Sequence, residues 1–134
     1  MSPNQRKLIF ALAVLVLTAL ACSFSTANIA EAYMAADGDG AQRTTVYSDD
    51  QTFYAIVELA NAPDTTEVRV VWTAVSAEGE APNTVIDEVT TTSTDAILTF
   101  NLTNEAGFLW PSGDYKADIY LNGELNTTLT FQVQ

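Results

Sequence analysis

The chain has 134 residues, with 17 acidic and five basic side chains, so its formal charge at pH 7 is −12. A single cysteine and the absence of histidine exclude an internal disulfide and the Ser-His-Asp and Cys-His catalytic arrangements. The excess of acidic residues argues against nucleic-acid binding, because Lys and Arg bind phosphates. We therefore expect no enzyme, no cofactor and no nucleic-acid partner.

The N-terminal segment has the pattern of a secretory signal. Arg6 and Lys7 precede an apolar run that extends from Leu8 to Ala21. A basic start, an apolar run and small residues, in this order, are typical of a signal peptide. The run is short for a permanent membrane span, which needs about 20 apolar residues. Residues 1–21 are therefore predicted to be a signal peptide.

The only cysteine follows this run, in the sequence Ala19-Leu20-Ala21-Cys22. The tetrapeptide resembles the bacterial lipoprotein signal, in which a small residue precedes a cysteine that is lipidated on sulfur and becomes the mature N terminus. The usual order has Leu three residues before the cysteine, whereas Ala19 and Leu20 are exchanged here. The resemblance implies a lipid on Cys22 and a location outside the cytoplasm, anchored to a bacterial membrane. The alternative is that Cys22 is one more small apolar residue of the signal.

The remainder is long enough for one domain. We predict a lipidated cysteine and short tether over residues 22–28 and one folded domain over residues 29–134. Beyond residue 21 the chain keeps three basic and all 17 acidic residues, a formal charge of −14. Such a charge argues against adsorption to anionic lipid head groups, so membrane contact is expected through the lipid anchor alone. Its simplest role is to keep an exposed domain soluble.

The domain contains many short segments in which apolar and polar residues alternate, and an alternation every two residues is typical of β-strands. The predicted strands, in chain order, are 44–48, 53–59, 68–74, 84–91, 97–102, 115–121 and 129–133. Residues 28–37 fit either an N-terminal strand or a short helix. Asn122-Gly123 predicts a two-residue hairpin, since both residues tolerate positive φ. Seven or eight short strands predict an all-β, two-sheet sandwich, with a small β-barrel as the alternative.

Two motifs resemble those of immunoglobulin-like domains. Trp72, in the middle of an apolar strand, is similar to their core tryptophan, and "GDYKA" (Gly113–Ala117) is similar to their tyrosine corner. The position of the second core cysteine is Ala117, so the resemblance implies apolar packing in place of a disulfide. The chain is also similar to bacterial surface lipoproteins that carry one such domain. The large residues expected in the core are Phe53, Trp72, Phe100, Tyr115 and Phe131.

Two candidate ligand sites stand out. Asp37 and Asp39, in "DGDG", suit a calcium loop because Ca²⁺ prefers oxygen ligands, but the stretch lacks the further ligands of an EF-hand, and a solvated loop is the simpler interpretation. A second possibility is an aromatic platform for sugar stacking, formed by Tyr47, Tyr54, Trp110 and Tyr120. Two functions stay open: a non-catalytic interaction or structural module of the cell envelope, with an unknown protein partner, and a module that binds calcium or carbohydrate.

Overall fold

A computed structural model describes residues 26–63 and 65–134, so the predicted signal peptide and Cys22 lie outside the described residues. Eight strands occur in the described part of the chain. They are β1 (Asn28–Ala35), β2 (Val46–Tyr47), β3 (Phe53–Ala60), β4 (Thr66–Ala77), β5 (Thr84–Ser93), β6 (Ala96–Leu102), β7 (Gly113–Leu121) and β8 (Glu124–Val133).

The strands form two sheets, one of three strands in the order β1-β3-β6 and one of five in the order β2-β8-β7-β4-β5. The pairings are antiparallel except for β2, which runs parallel to β8. Each sheet has two edge strands, so neither closes on itself. The predicted all-β sandwich is confirmed, and the alternative of a small barrel is wrong.

The segment that fits either strand or helix is the edge strand β1. It pairs with β3 from Asn28, opposite Ala60, to Ala35, opposite Tyr54. Ala and Glu favour helix locally, but the strand buries Met34 and Ala35 against the sandwich, with 3% and 0% exposure. Pairing and burial outweigh a local preference of a few tenths of a kcal/mol per residue.

The core lies between the sheets and follows the alternation expected from the sequence. Trp72 has no exposed surface, and its ring meets that of Phe131 edge-on at 6.1 Å between centroids. Phe53, Tyr115 and Phe100 are also buried, so the five large residues expected in the core all belong to one apolar cluster. Ala117 is fully buried as well, and apolar contacts occupy the place of the missing disulfide.

The hairpin between β7 and β8 has the predicted geometry. Asn122 and Gly123 have φ values of 48° and 85°, the left-handed values of a type I′ turn. Asn122 also bonds to the neighbouring strand β4, because its side-chain oxygen accepts the Glu67 amide (3.0 Å) and its own amide donates to the Glu67 carbonyl (2.9 Å). The turn therefore sets the register of three strands.

Strand β5 is longer than predicted and is exposed along most of its length. It pairs with β4 alone, because it stands at the edge of the five-stranded sheet. A register shift opposite Trp72 and Thr73 interrupts the pairing. Irregularities of this kind, together with the charges of Asp87 and Glu88, are how sheet edges avoid unwanted pairing.

The register defines two ends of the sandwich. Asn28 and Ala60 lie at the end where the described chain begins, which we call the N-terminal end. It also carries the β3–β4, β5–β6 and β7–β8 connections. At the opposite end, the far end, Phe53 packs against Phe131 (4.8 Å between centroids) and brings the two sheets together. The far end carries the β1–β2, β2–β3, β4–β5 and β6–β7 connections.

Candidate functional site

The β6–β7 loop (residues 103–112) crosses the far end and is held to both sheets. Trp110 stacks on Phe53 with 4.7 Å between ring centroids. Its indole Nε1 donates to the carbonyl of Gln51 (2.9 Å), and its amide donates to the carbonyl of Asp49 (2.8 Å). An aromatic stack and two hydrogen bonds therefore fix the position of this side chain.

The tyrosine corner fixes the other end of the loop. The Tyr115 hydroxyl donates to the carbonyl of Pro111 (2.5 Å), four residues upstream, which is the bond that defines this motif. Gly113 allows the close approach that follows: its φ is 152°, and a Cβ there would lie 2.1 Å from the carbonyl oxygen of Ser76. The sequence "GDYKA" thus predicts both the strand start and the corner.

The β4–β5 connection closes over this corner. The Glu78 amide donates to the carbonyl of Ser112 (3.0 Å), and the Glu80 amide donates to that of Ala77 (3.1 Å). Asn83 and Gly79 adopt positive φ, as tight turns require. These bonds place the Glu80 side chain beside the β6–β7 loop.

A small apolar pocket lies between these segments. We call it the Trp110 pocket; it has a volume of about 210 Å³ and is lined by Ala74, Glu80, Thr84, Ile86, Trp110, Pro111 and Tyr115. Burial, and secondarily the negative charge of Glu80, raises the pKa of Tyr115. Glu80 is the only charged residue in the lining. The pocket therefore combines apolar walls with one carboxylate.

The outer part of the same loop exposes two apolar side chains. Phe108 and Leu109, the tip pair, are 66% and 62% exposed. The Phe108 amide donates to the Glu105 carbonyl (3.1 Å), and the Asn104 side-chain amide donates to the Phe108 carbonyl, so the backbone beneath the pair is ordered by its own turn. A groove of about 470 Å³ separates the loop from Asp50.

Acidic residues are frequent in the connections near the tip pair and the Trp110 pocket. The connections and adjoining strand start at the far end carry Asp49, Asp50, Glu78, Glu80, Glu105 and Asp114. Asp37 and Asp39 belong to the β1–β2 connection, which folds over the outer face of the three-stranded sheet, where the Thr99 hydroxyl donates to the Gly38 carbonyl (3.1 Å). The one cation in these connections, Arg43, lies 3.7 Å from the centre of the Tyr33 ring and pairs with Glu31. The Glu31 bond holds the pKa of Arg43 above, and that of the Glu31 carboxyl below, its ordinary value. Within the described residues, the far-end connections thus present carboxylates and no unpaired Lys or Arg.

The other two basic residues of the described chain are also paired. Arg69 bonds Glu88 (3.0 Å) and lies over the Tyr120 ring, and Lys116 lies 3.2 Å from Asp118. Asp118 further accepts a hydrogen bond from the Thr128 hydroxyl (2.6 Å). Residues 26–63 and 65–134 therefore offer no unpaired Lys or Arg to a phosphate.

The two predicted aspartates lie in the β1–β2 connection, where they have structural neighbours. The Asp37 carboxylate accepts the backbone amides of Gln42 (2.8 Å) and Ala41 (3.1 Å) and so closes the β1–β2 turn. Asp39 is exposed in the same turn. Across the described ranges, no cluster of three or more His, Cys, Asp or Glu side chains could hold a metal ion.

The predicted aromatic platform does not form. Tyr47 is 1% exposed and donates its hydroxyl to the Ala35 carbonyl (2.7 Å) inside the sandwich. Tyr54 and Tyr120 belong to different sheets, and Arg69 covers the second of them. The sequence pattern places Trp110 in this platform, but in the structure Trp110 lines a pocket with Glu80 and directly follows the tip pair in the chain. The sequence analysis predicts no role for Glu80 or the tip pair. The one sequence signal for the tip pair is the apolar "FLW" (108–110), which lies outside any alternating strand.

Comparison with solved structures identifies the type of fold. No protein-family model matches the chain, and no curated protein matches it. Among solved structures it is similar to an immunoglobulin-like protein of Pseudomonas aeruginosa, with 12% identity and a TM-score of 0.51 over 84% of this chain and 99% of that one. The fold is immunoglobulin-like.

Two enzymes match most of this chain, but over only a minor part of their own length. The alkylpurine DNA glycosylase AlkC of Pseudomonas fluorescens, solved bound to DNA, matches with 13% identity and a TM-score of 0.55 over 82% of this chain. This chain spans 31% of that enzyme's length. A β-D-glucoside glucohydrolase of Trichoderma reesei matches at 15% identity and a TM-score of 0.44 over 83% of this chain and 19% of its own, too distant to support an argument. These similarities concern the fold alone.

Proposed function

We propose that this protein is a lipoprotein held outside the cytoplasm by a lipid on Cys22, and that its immunoglobulin-like domain is a non-catalytic interaction module of the cell envelope. The observation that carries the proposal is the order of parts along the chain. The tetrapeptide that resembles a lipoprotein signal directly precedes a sandwich whose first strand begins at Asn28. Export, anchoring and display then follow one another in the sequence.

The direction in which the domain would extend from the anchor supports display. Between Cys22 and Asn28 the chain reaches at most about 20 Å, since an extended residue spans 3.3–3.6 Å. A lipid at Cys22 would therefore keep the N-terminal end near the bilayer and direct the far end, with the tip pair and the Trp110 pocket, away from it. No helix within residues 26–63 and 65–134 is long and apolar enough to cross a bilayer.

The chemistry of the far end favours binding over catalysis. Histidine is absent from the chain, and the carboxylates of the far end lie in surface turns. A general acid or base would need a partner group positioned to exchange a proton with it. The paired cations and the negative charge likewise argue against nucleic acid. A protein partner in the envelope fits this surface better.

The anchor is tested on the protein purified from its own cells. Mass spectrometry of the N-terminal peptide should find residue 22 as the first residue, carrying the mass of a diacylglyceryl group. Cys22→Ser should leave the chain unprocessed or release it from membranes, whereas Ser23→Ala, its matched neighbour, should behave as the wild type. An unmodified N terminus elsewhere, or Cys22→Ser protein processed and fractionated like the wild type, would overturn the anchor.

A further inference from the structure

We propose that the far end binds a basic segment of a second envelope protein, which inserts one Lys or Arg side chain into the Trp110 pocket and lays apolar residues on the tip pair. The inference rests on the proposed function for its setting and adds the partner's chemistry. It combines the apolar pocket with its single carboxylate, the exposed tip pair and the excess of negative charge.

The pocket suits one side chain better than a free ligand. Its volume of about 210 Å³ lies below the roughly 300–1,000 Å³ of small-molecule sites. Trp110 and Ile86 offer apolar walls for an aliphatic stem, and Glu80 offers a carboxylate for the cationic head. Lys and Arg have this division, with an apolar stem and a charged end. A cation beside Trp110 would also gain from the ring quadrupole.

The tip pair supplies an apolar contact beside the pocket. Phe108 and Leu109 have neighbouring positions in one loop and together expose most of their surfaces. Exposed side chains contribute little to folding, so the fold does not account for two large apolar residues there. Apolar anchors surrounded by polar residues are the usual arrangement of a binding hot spot.

Charge selects the class of partner. Six carboxylates, from Asp49 to Asp114, lie in the far-end connections or the adjoining strand start, and the one cation of those connections, Arg43, is already paired with Glu31. Such a field attracts a basic segment, accelerates its association and disfavours acidic partners. It also disfavours a second copy of this chain, because two far ends would bring like charges together. A basic partner is the occupant that the electrostatics permit.

The site is already ordered in the free protein. Trp110 is fixed by Phe53, Gln51 and Asp49, and the Glu80 turn is fixed by bonds of the β4–β5 connection. Binding then requires little further ordering of the backbone, which is a main cost of association. Only the inserted side chain of the partner and the side chains of the tip pair must become ordered.

The proposal is tested by photo-crosslinking with the full-length protein in its own cells. A photoreactive amino acid replaces Phe108, and matched control positions are Leu125 at the N-terminal end and Ile97 on the three-stranded sheet, which are 56% and 70% exposed. We expect an adduct from position 108 alone, and its crosslinked partner peptide should contain Lys or Arg. Adding Glu80→Gln should lower the adduct yield about threefold to fivefold, as for the loss of one ion pair at a rim.

Glu124→Gln, which removes an exposed carboxylate at the N-terminal end, is the control and should leave the yield unchanged. A partner Lys→Glu change should reduce the yield, and Glu80→Lys should restore it. Adducts from positions 97 or 125 alone would overturn the far-end site and leave an interaction module standing. A partner peptide without Lys or Arg, or an adduct with a second copy of this chain, would overturn the proposed chemistry. No adduct from any position, with the anchor intact, would overturn both the site and the interaction function.

Discussion

At the N-terminal end of the sandwich, short connections bond to one another through polar groups, whereas at the far end longer connections are held by aromatic side chains. The Thr26 hydroxyl donates to the carbonyl of Asn61 (3.0 Å), and the Ala62 amide donates to the Asp95 carboxylate (2.7 Å). At the far end, Phe53 contacts several rings and Trp110 bridges to the β2–β3 turn. The first arrangement joins neighbouring connections by hydrogen bonds between residues 35 and 33 positions apart. The second builds a surface from parts distant in the sequence.

The largest expected effect is loss of the ring that joins the sheets at the far end. Phe53 has no exposed surface and lies 4.7–4.9 Å from the ring centres of Tyr47, Trp110 and Phe131. Phe53→Ala should therefore reduce the free energy of unfolding by about 4 kcal/mol, the sum of lost burial and a cavity. Urea unfolding measures this value, and exchange of the Trp110 indole proton reports the loop.

Leu59→Ala, on the same face of β3 but toward the N-terminal end, is the matched variant. It should also destabilise, by about 3 kcal/mol, yet leave the exchange of the Trp110 indole proton unchanged relative to global unfolding. If both variants released Trp110 equally, the far end would not be a separate aromatic unit, and the comparison of the two ends would fail.

A second contrast uses one glycine from each end. Gly113→Ala would place a Cβ 2.1 Å from the Ser76 carbonyl oxygen at φ 152°, where strain and a backbone clash combine. We expect a loss of about 3 kcal/mol. Gly123→Ala meets no atom within 4 Å and bears only the strain of φ 85°, about 1 kcal/mol. Thermal or urea unfolding of the two variants should therefore differ clearly, and equal losses would contradict the close approach at Gly113.

Alkaline pH should affect the far end first, because both buried tyrosines lie toward it. Burial raises the pKa of Tyr47 from 10 to about 12. The unfolded chain then loses this proton first as the pH rises, so stability should be unaffected below pH 10 and should fall between about pH 10 and 12, by up to about 3 kcal/mol. Urea unfolding at a series of pH values measures the slope.

Tyr47→Phe is the control for this slope. It should lower stability at neutral pH by about 1 kcal/mol, because the Ala35 carbonyl loses its donor, and it should flatten the alkaline decline. The raised pKa of Tyr115 would leave a smaller residual slope. A variant that declined as steeply as the wild type would assign the pH dependence to another group.

The smallest expected effect concerns the exposed apolar residues of the two ends. Phe108→Ala and Leu125→Ala should each change the free energy of unfolding by less than about 0.5 kcal/mol, since Phe108 and Leu125 are 66% and 56% exposed. Their equality in stability would show that any difference in crosslinking arises from the surface itself. A large loss for Phe108→Ala would instead make the tip pair part of the core.

Local patterns were sufficient where one strand or turn decides the outcome. Alternation identified the inward faces of β3 and β4, and Asn122-Gly123 identified its hairpin, because side-chain period and turn geometry are properties of a few neighbouring residues. Tyr115 was recognisable because its corner bond reaches only four residues upstream.

Local patterns failed where pairing decides. The sequence of residues 28–37 fits either a strand or a helix, and its pairing with the edge of β3 makes it the strand β1. Tyr47 resembled an exposed aromatic but is buried beside Phe53, since its short strand is placed by β8, far along the chain.

The sequence alone therefore determined the strand-rich class, the core alternation, the final hairpin and the acidic character, because each depends on composition or on residues a few positions apart. Only the tertiary structure decided that Trp110, Glu80 and Ile86 share a pocket beside the tip pair. The bond from Trp110 to Gln51 joins residues 59 positions apart, and periodicity carries no information over that distance. Contacts between the ends of strands in different sheets arise only when the sheets pack.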